Sequence, residues 1–432
     1  VSGLIPPVLV RDLHLDVALP DLNDDGRYWA ARLLVRLHGR PIGEVVLPLA
    51  QLPLPAGQLA DRIWPLIGDR AADHCAADGM TPPAQLTPSG LACPRSPRCA
   101  GRQLTAGTTK ITVVIATHDR TESLLRCLSS VSRLDYPAFD VVVVDSAPHS
   151  DATAQALSGH PGFPFPVSYL RVSRPGLALA HNAALPAVTG NIVAITDDDV
   201  EVDHNWLAAL AAAFAESDTT CVTGLILPAE LETRAQLLVE QVGGYGRGFT
   251  RQVFTSGMPA PGPLFPFTAG RFGSGANMAF RADWLTAHGG FDPATGAGSP
   301  ARGGDDLTAF LKVIIDGGTL VYEPDAIVRH WHQRDYESMR RQAFGYGMGL
   351  GAYLAASVRE RPGLLGSMLR RSAPALRHLL SAGSAKNAGR GESFPRELIW
   401  RERAGIAAGP LAYAVSRRRY RNCTATPAGS PG

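Results

Sequence analysis

The 432-residue chain contains no uninterrupted apolar run approaching the ~18 residues that a membrane-spanning helix requires. Its first residues, VSGLIPPVLV, carry no basic charge and are broken by two prolines, which argues against a secretory leader. Six cysteines stand at 75, 93, 99, 127, 221 and 423 without a CxxC pair. Cys93 and Cys99 bracket a Pro-rich stretch and could pair, but no disulfide framework is legible, so a reducing compartment is the simpler expectation. The expected location is cytoplasmic, with peripheral contact at the inner face of the plasma membrane. Extreme polarity is absent as well: 45% of residues are hydrophobic and 19% charged, which excludes a largely disordered chain.

The net charge of +2 conceals an asymmetry. Residues 359–421 hold fourteen Lys or Arg against four Glu, so the segment carries +10 and the rest of the chain −8. A basic tail on an acidic body suits an anionic partner, and residues 359–421 are expected to touch an anionic membrane surface. A solvated basic helical face is the bland alternative. Nucleic acid fits poorly, because aromatic residues are sparse among these charges.

Residues 1–80 read as a small α+β module: strands at 13–20 and 29–49, the latter folded at Gly39-Arg40-Pro41, then a helix over 58–77. Residues 81–109 are dense in Pro, Gly, Ser and Thr and read as a linker. From 110 to 350 the pattern is more regular. ITVVIAT (111–117), FDVVVVDS (139–146), VSYLRV (167–172) and NIVAIT (191–196) are β-rich runs separated by helical segments, one beginning at Thr121 and another at LALAHNAALPAV. This alternation predicts an α/β fold with a mostly parallel sheet flanked by helices, and ligands at the carboxyl ends of its strands. Residues 351–432 read as a basic, helical tail with a disordered end.

Asp197, Asp198 and Asp199 directly follow the fourth run. Three adjacent carboxylates repel one another and need compensation, which a hard divalent cation, Mg²⁺ or Mn²⁺, supplies together with phosphate oxygens. An acidic loop capping a helix from Asn205 is the alternative. His330 and His332 are two residues apart, a spacing that puts both imidazoles on one face of a strand, within reach of one metal or diphosphate. Packing is the usual fate of a single histidine.

IATHDR (115–120), VVVVDSAPHSD (141–151), RPGLALAHNAA (174–184) and IVAITDDDV (192–200) together resemble the nucleotide-binding half of family 2 glycosyltransferases. GSGANMAFRADWLTAHGGFD (273–292), GGDDLTAFLKVIIDGG (303–318) and YEPDAIVRHWH (322–332) follow in the family's order, so the resemblance covers about 110–350. It implies a GT-A type, Rossmann-like fold, a nucleotide-diphosphate-sugar donor, a divalent metal, Mn²⁺ or Mg²⁺, and inversion at the anomeric carbon.

By that resemblance Thr117 and Asp145 read the nucleobase, Asp197 faces the ribose, and Asp198 is the preferred metal ligand, with Asp199 one position away. One histidine of His330 and His332 completes the metal shell. His181 stands where the family carries an arginine, and Arg174 is expected to supply the missing charge to the diphosphate. Gly273, Gly275 and Asn277 line the donor sugar and acceptor. Asp305 and Asp306 match an acidic pair whose second member is the general base, so Asp306 is the candidate base and Asp305 an acceptor contact; an N-capped helix over 307–316 is the alternative. Trp284 reads as packing, FPFTAGRFG (265–273) as a lid, and residues 334–358 as a helix near the acceptor entrance. The acceptor is unidentified: lipid-linked, a small natural product, or a protein. Two other readings compete. A nucleotidyltransferase would carry a glycine-rich loop after its first strand, and HDRTES (118–123) has no glycine. A non-catalytic nucleotide-sugar-binding module would have little use for both acidic groups.

Overall fold

The structure, a computed structural model, describes residues 4–23, 26–49, 53–93 and 109–421, apart from 217, 243, 258–261, 382–383, 385–386, 388–389 and 391–393. Of the linker expected over 81–109, residues 94–108 lie outside the described residues, as does the disordered end beyond 421, whereas Leu86, Leu91 and Cys93 pack into the core of the N-terminal module.

A nine-stranded sheet forms the centre. Strands β4 (Ile111–Thr117), β5 (Phe139–Ser146), β6 (Val167–Val172) and β7 (Ile192–Asp197) are mutually parallel, in the order β7-β4-β5-β6. Their β-branched runs are buried on both faces, as parallel strands between helical layers are. Beyond β7 come β11 (Asn277–Arg281), antiparallel, then β9 (Thr219–Pro228) and β12 (Thr319–His330), parallel to each other, and β10 (Gln252–Phe254) at the edge. The short β8 (Val200–Val202) pairs with the end of β12. This is the expected α/β architecture with a mostly parallel sheet and flanking helices.

Asn277 holds the mixed half of the sheet together. Its side chain is fully buried, accepts a hydrogen bond from Trp206 Nε1 at 2.9 Å, and donates to Leu225 O at 3.1 Å and Ala326 O at 2.8 Å. Its amide is therefore spent on β9, β12 and helix α5 (Trp206–Phe214), and the expectation that it contacts donor sugar is corrected. A Cβ at Gly224 would overlap both Ala326 O and this amide, so the two residues require each other.

The N-terminal module is a three-stranded sheet, β1 (Val8–His14), β2 (Ala30–Leu37) and β3 (Arg40–Pro48), packed on helix α1 (Ala56–Ala77). The first strand lies earlier than the expected 13–20, because Val8 N bonds to Leu231 O of the large domain and sets the start of the pairing. All of β2 is buried. Leu33, Val35 and Leu37 face the module's own core, while Leu34 packs with Leu225, Leu227 and Ile327 of the central sheet.

Two long helices close the other side. Helix α9 (Tyr336–Glu360) and helix α12 (Arg396–Arg419) meet at Gly347, Gly351, Gly405 and Gly409, where any Cβ would overlap the facing backbone. Helices α10 (Leu364–Arg370) and α11 (Ser372–Leu380) lie between them in sequence. The segment 265–273, expected as a lid, is pinned instead: Phe265, Ala269 and Phe272 are buried in the core. Trp284 stacks on Phe280 and His288, as packing requires.

Replacing Asn277 by Ala should destabilise the fold by roughly 3 kcal/mol, since three buried partners lose their hydrogen bonds at once. Chemical denaturation checks this; a loss below about 1 kcal/mol would contradict the assigned role.

Candidate functional site

The carboxyl end of β7 carries the acidic triplet, and its three side chains diverge. Asp198 is buried; it accepts from Thr117 Oγ1 at 2.7 Å and lies 3.2 Å from Arg120 Nη1. Asp199 meets Arg120 at 2.7 Å, and its carbonyl accepts from Trp331 N. Oxygens of Asp197 and Asp199 and a nitrogen of His330 lie within 4.8 Å of one another. The grouping follows from register, because His330 pairs with Val200 across the β8–β12 ladder and so lands beside Asp199, 3.4 Å from Nε2 to Oδ1.

Two carboxylates and an imidazole form a donor set suited to a Mn²⁺ or Mg²⁺ class ion. Asp198, preferred on sequence, accepts from Thr117 and lies outside this group. Burial holds His330 neutral by lowering its pKa to about 4, the state a metal ligand needs. Burial and the mutual repulsion of the triplet push Asp197 well above the ordinary carboxylate range, and burial lifts Asp198 to about 6 despite Arg120.

Behind His330 runs a chain of polar contacts that sequence did not reveal. His330 Nδ1 is 3.0 Å from His332 Nδ1, His332 Nε2 is 2.8 Å from Glu240 Oε1, and Glu240 Oε2 is 2.7 Å from Arg32 Nη1. The tautomers that satisfy the chain place N–H on His332 Nε2 and His330 Nδ1, leaving the lone pair of His330 Nε2 aimed at the carboxylates. Of the two histidines, then, His330 joins the acidic group and His332 orients it. Glu240 is held near 2 although buried, because His332 and Arg32 stabilise its charge. It comes from helix α6 (Arg234–Gln241), with no sequence signal linking it to His332.

Thr117 and Asp145 are register partners at the ends of β4 and β5. Thr117 is occupied by Asp198, whereas Asp145 accepts from Tyr169 at 2.9 Å and keeps Oδ1 buried without a partner among the described residues. His181 is buried against Phe291, its nearest carboxylate being Asp305 at 4.0 Å. Burial lowers it to about 4, so it is neutral and does not replace the positive charge of the family's arginine; its expected role as a nucleotide-sugar-binding residue gains no support from this buried position. Arg174 is exposed on the loop before helix α4 (Leu177–Ala184). The cation that does lie on the carboxylates is Arg120, which belongs to a quoted motif but received no role from sequence.

Asp305 and Asp306 open helix α8 (Asp305–Ile315), whose N-cap is Gly304 at φ 91°; the helix expected over 307–316 therefore begins two residues earlier, without a capping carboxylate. Asp306 Oδ2 accepts from Gly275 N at 2.9 Å and Oδ1 from Leu307 N at 2.8 Å. Burial raises the pKa of Asp306 against these donors, and raises Asp305 to about 7 with help from the Asp306 charge. Gly273, by contrast, is demanded by packing, since a Cβ there would overlap Thr223. Tyr346 of α9 bonds to Tyr245 and to Gln342, and burial raises its pKa, with Asp199, Asp197 and Asp306 adding to the rise.

Residues 112–285 match the sequence family described as Glycosyl transferase family 2. The succinoglycan biosynthesis protein ExoM of Rhizobium meliloti (strain 1021) is 25% identical over 224 residues, 51% of this chain and 66% of that protein. The pre-mycofactocin glycosyltransferase of Mycobacterium tuberculosis is 29% identical over 183 residues, 42% of this chain and 35% of that protein. The chain thus spans less than two thirds of these relatives' length. Among solved structures, a Pyrobaculum calidifontis mannosyltransferase in complex with GDP-Man and Mn²⁺ overlaps 74% of this chain and 77% of its own, at 20% identity and TM-score 0.43.

Asp198 holds a proton in the folded chain that it loses when unfolded, so stability falls as pH rises from about 4 through about 6, and Asp197, raised by burial and its acidic neighbours, adds to the loss. Mn²⁺ should reverse that loss, raising the melting temperature more at about pH 8 than at about pH 5. Equal shifts at both pH values in a thermal-shift series would contradict the assignment.

Proposed function

Because residues 112–285 are a Glycosyl transferase family 2 domain, we propose that the chain moves a sugar from a nucleoside-diphosphate donor to an acceptor hydroxyl, by single displacement with inversion. The observation that carries this reading is the pairing of two unlike acidic centres. One gathers Asp197, Asp199 and His330 at the end of the nucleotide-binding sheet; the other presents Asp306 from a helix start.

Mn²⁺ or Mg²⁺ held by Asp197, Asp199 and His330 would offset charge on the departing diphosphate. Asp145 offers its unpartnered oxygen to the nucleobase, and Arg120 is placed to exchange a carboxylate partner for a phosphate. Asp306 takes the acceptor's proton as the oxygen attacks. Its raised pKa makes it a better base, while the Gly275 and Leu307 amides fix its plane. Asp305, more buried and protonated more readily, is a positioning group beside His181 rather than a second base.

For the acceptor we favour a lipid-linked molecule over a small soluble one, on the surface of the tail. Leu365, Leu369 and Leu376 are exposed on α10 and α11 beside Arg370, Arg371 and Arg377. Apolar groups flanked by cations suit an anionic bilayer surface. No helix among the described residues is long and apolar enough to cross a membrane, so contact of this kind is peripheral.

Two experiments test the proposal. With UDP-, GDP- and dTDP-sugars, wild type should release nucleoside diphosphate from one donor class, and Asp306→Asn should lower kcat about 1000-fold with donor Kd unchanged. No release from any donor by folded wild type would favour a non-catalytic binding module. On the acceptor side, Leu365→Glu combined with Leu369→Glu should cut cosedimentation with anionic vesicles about tenfold. Unchanged sedimentation would remove the membrane reading.

A further inference from the structure

Another set of convergent ligand atoms lies in the N-terminal module, outside the family 2 domain. His38 occupies the turn between β2 and β3 at φ 55°, a left-handed conformation uncommon for a non-glycine residue. His74 and Asp78 stand one turn apart at the end of α1, facing that turn. His38 and Asp78 are buried and His74 is half-buried, and one ligand atom from each lies within 4.8 Å of the others.

The spacings are those of a metal shell. Around a tetrahedral zinc with bonds near 2.0–2.1 Å, neighbouring ligand atoms are roughly 3.3 Å apart. Here His38 Nδ1 to His74 Nε2 is 3.1 Å and His74 Nε2 to Asp78 Oδ2 is 3.5 Å. The outer contact is also right. His38 Nε2 lies 2.9 Å from Cys93 O, so it donates there and turns the Nδ1 lone pair inward, as metal-bound histidines generally do. Cys75, next to His74 in sequence, has its Sγ 3.0 Å from that of Cys93, and both are buried outside the three-residue group.

We propose that His38, His74 and Asp78 hold a zinc ion. Two imidazoles and a single carboxylate favour zinc over the harder Mg²⁺ or Mn²⁺. The site is enclosed and distant in sequence from both acidic centres, so it is structural. It joins the hairpin, the end of α1 and the segment at Cys93, and that hairpin carries Arg32, Arg36 and Arg40 into the large domain. The inference stands independently of the proposed glycosyl transfer.

Elemental analysis of the full chain, purified without chelators, tests it. About one zinc per chain is expected in wild type and in Asp199→Ala, and a loss of most of it in His74→Ala. Should His74→Ala not fold, Co²⁺ replacement in wild type gives the second readout: the visible bands of a tetrahedral ion. Zinc lost in Asp199→Ala but kept in His74→Ala would overturn the site. So would folded wild type that contains no zinc and gives no Co²⁺ spectrum.

Discussion

Three consecutive carboxylates at the end of a buried strand cannot all ionise without help, and much of the surrounding structure answers that requirement. Arg120 lies across Asp198 and Asp199, and Thr117 donates to Asp198. His330 is brought to Asp199 by the β8–β12 pairing. The arrangement is still under-compensated, as the upward shifts of Asp197 and Asp198 show. A folded chain tolerates such a deficit where a ligand of opposite charge completes the balance.

The N-terminal module takes part in that balance rather than standing beside it. From β2, Arg32 reaches Glu240 and Arg36 reaches Asp203, and from the start of β3 Arg40 reaches Asp325. Buried ion pairs like that of Arg32 and Glu240 contribute little net stability against apolar packing, but breaking one strands the other charge. Their value here is positional. Arg32 fixes Glu240, Glu240 fixes the ring of His332, and His332 presents the lone pair of His330 to the carboxylates.

The central strands were legible because strands buried on both faces need continuous β-branched runs, and ITVVIAT and FDVVVVDS have few other uses. The acidic triplet was legible because like charges seldom adjoin without purpose. Sequence could not tell His330 from His332, since the difference lies in what each ring meets: Asp199 in one case, a glutamate some ninety positions away in the other. Asn277 misled for a related reason. An amide in a glycine-rich loop can bind sugar or tie strands together, and only the positions of Leu225, Ala326 and Trp206 decide. His181 stands in the place of an arginine, and its burial against Phe291 keeps it neutral, which the sequence alone did not show.

The central claim is that Asp197, Asp199 and His330 together bind a divalent cation. Anomalous diffraction from crystals soaked in Mn²⁺ and a nucleoside diphosphate measures this most directly. The account predicts a manganese peak bonded to His330 Nε2 and to Asp199, with the diphosphate completing the shell. A peak held by Asp198 or His332 in their place, or no peak at the end of β7 with nucleotide present, would contradict it.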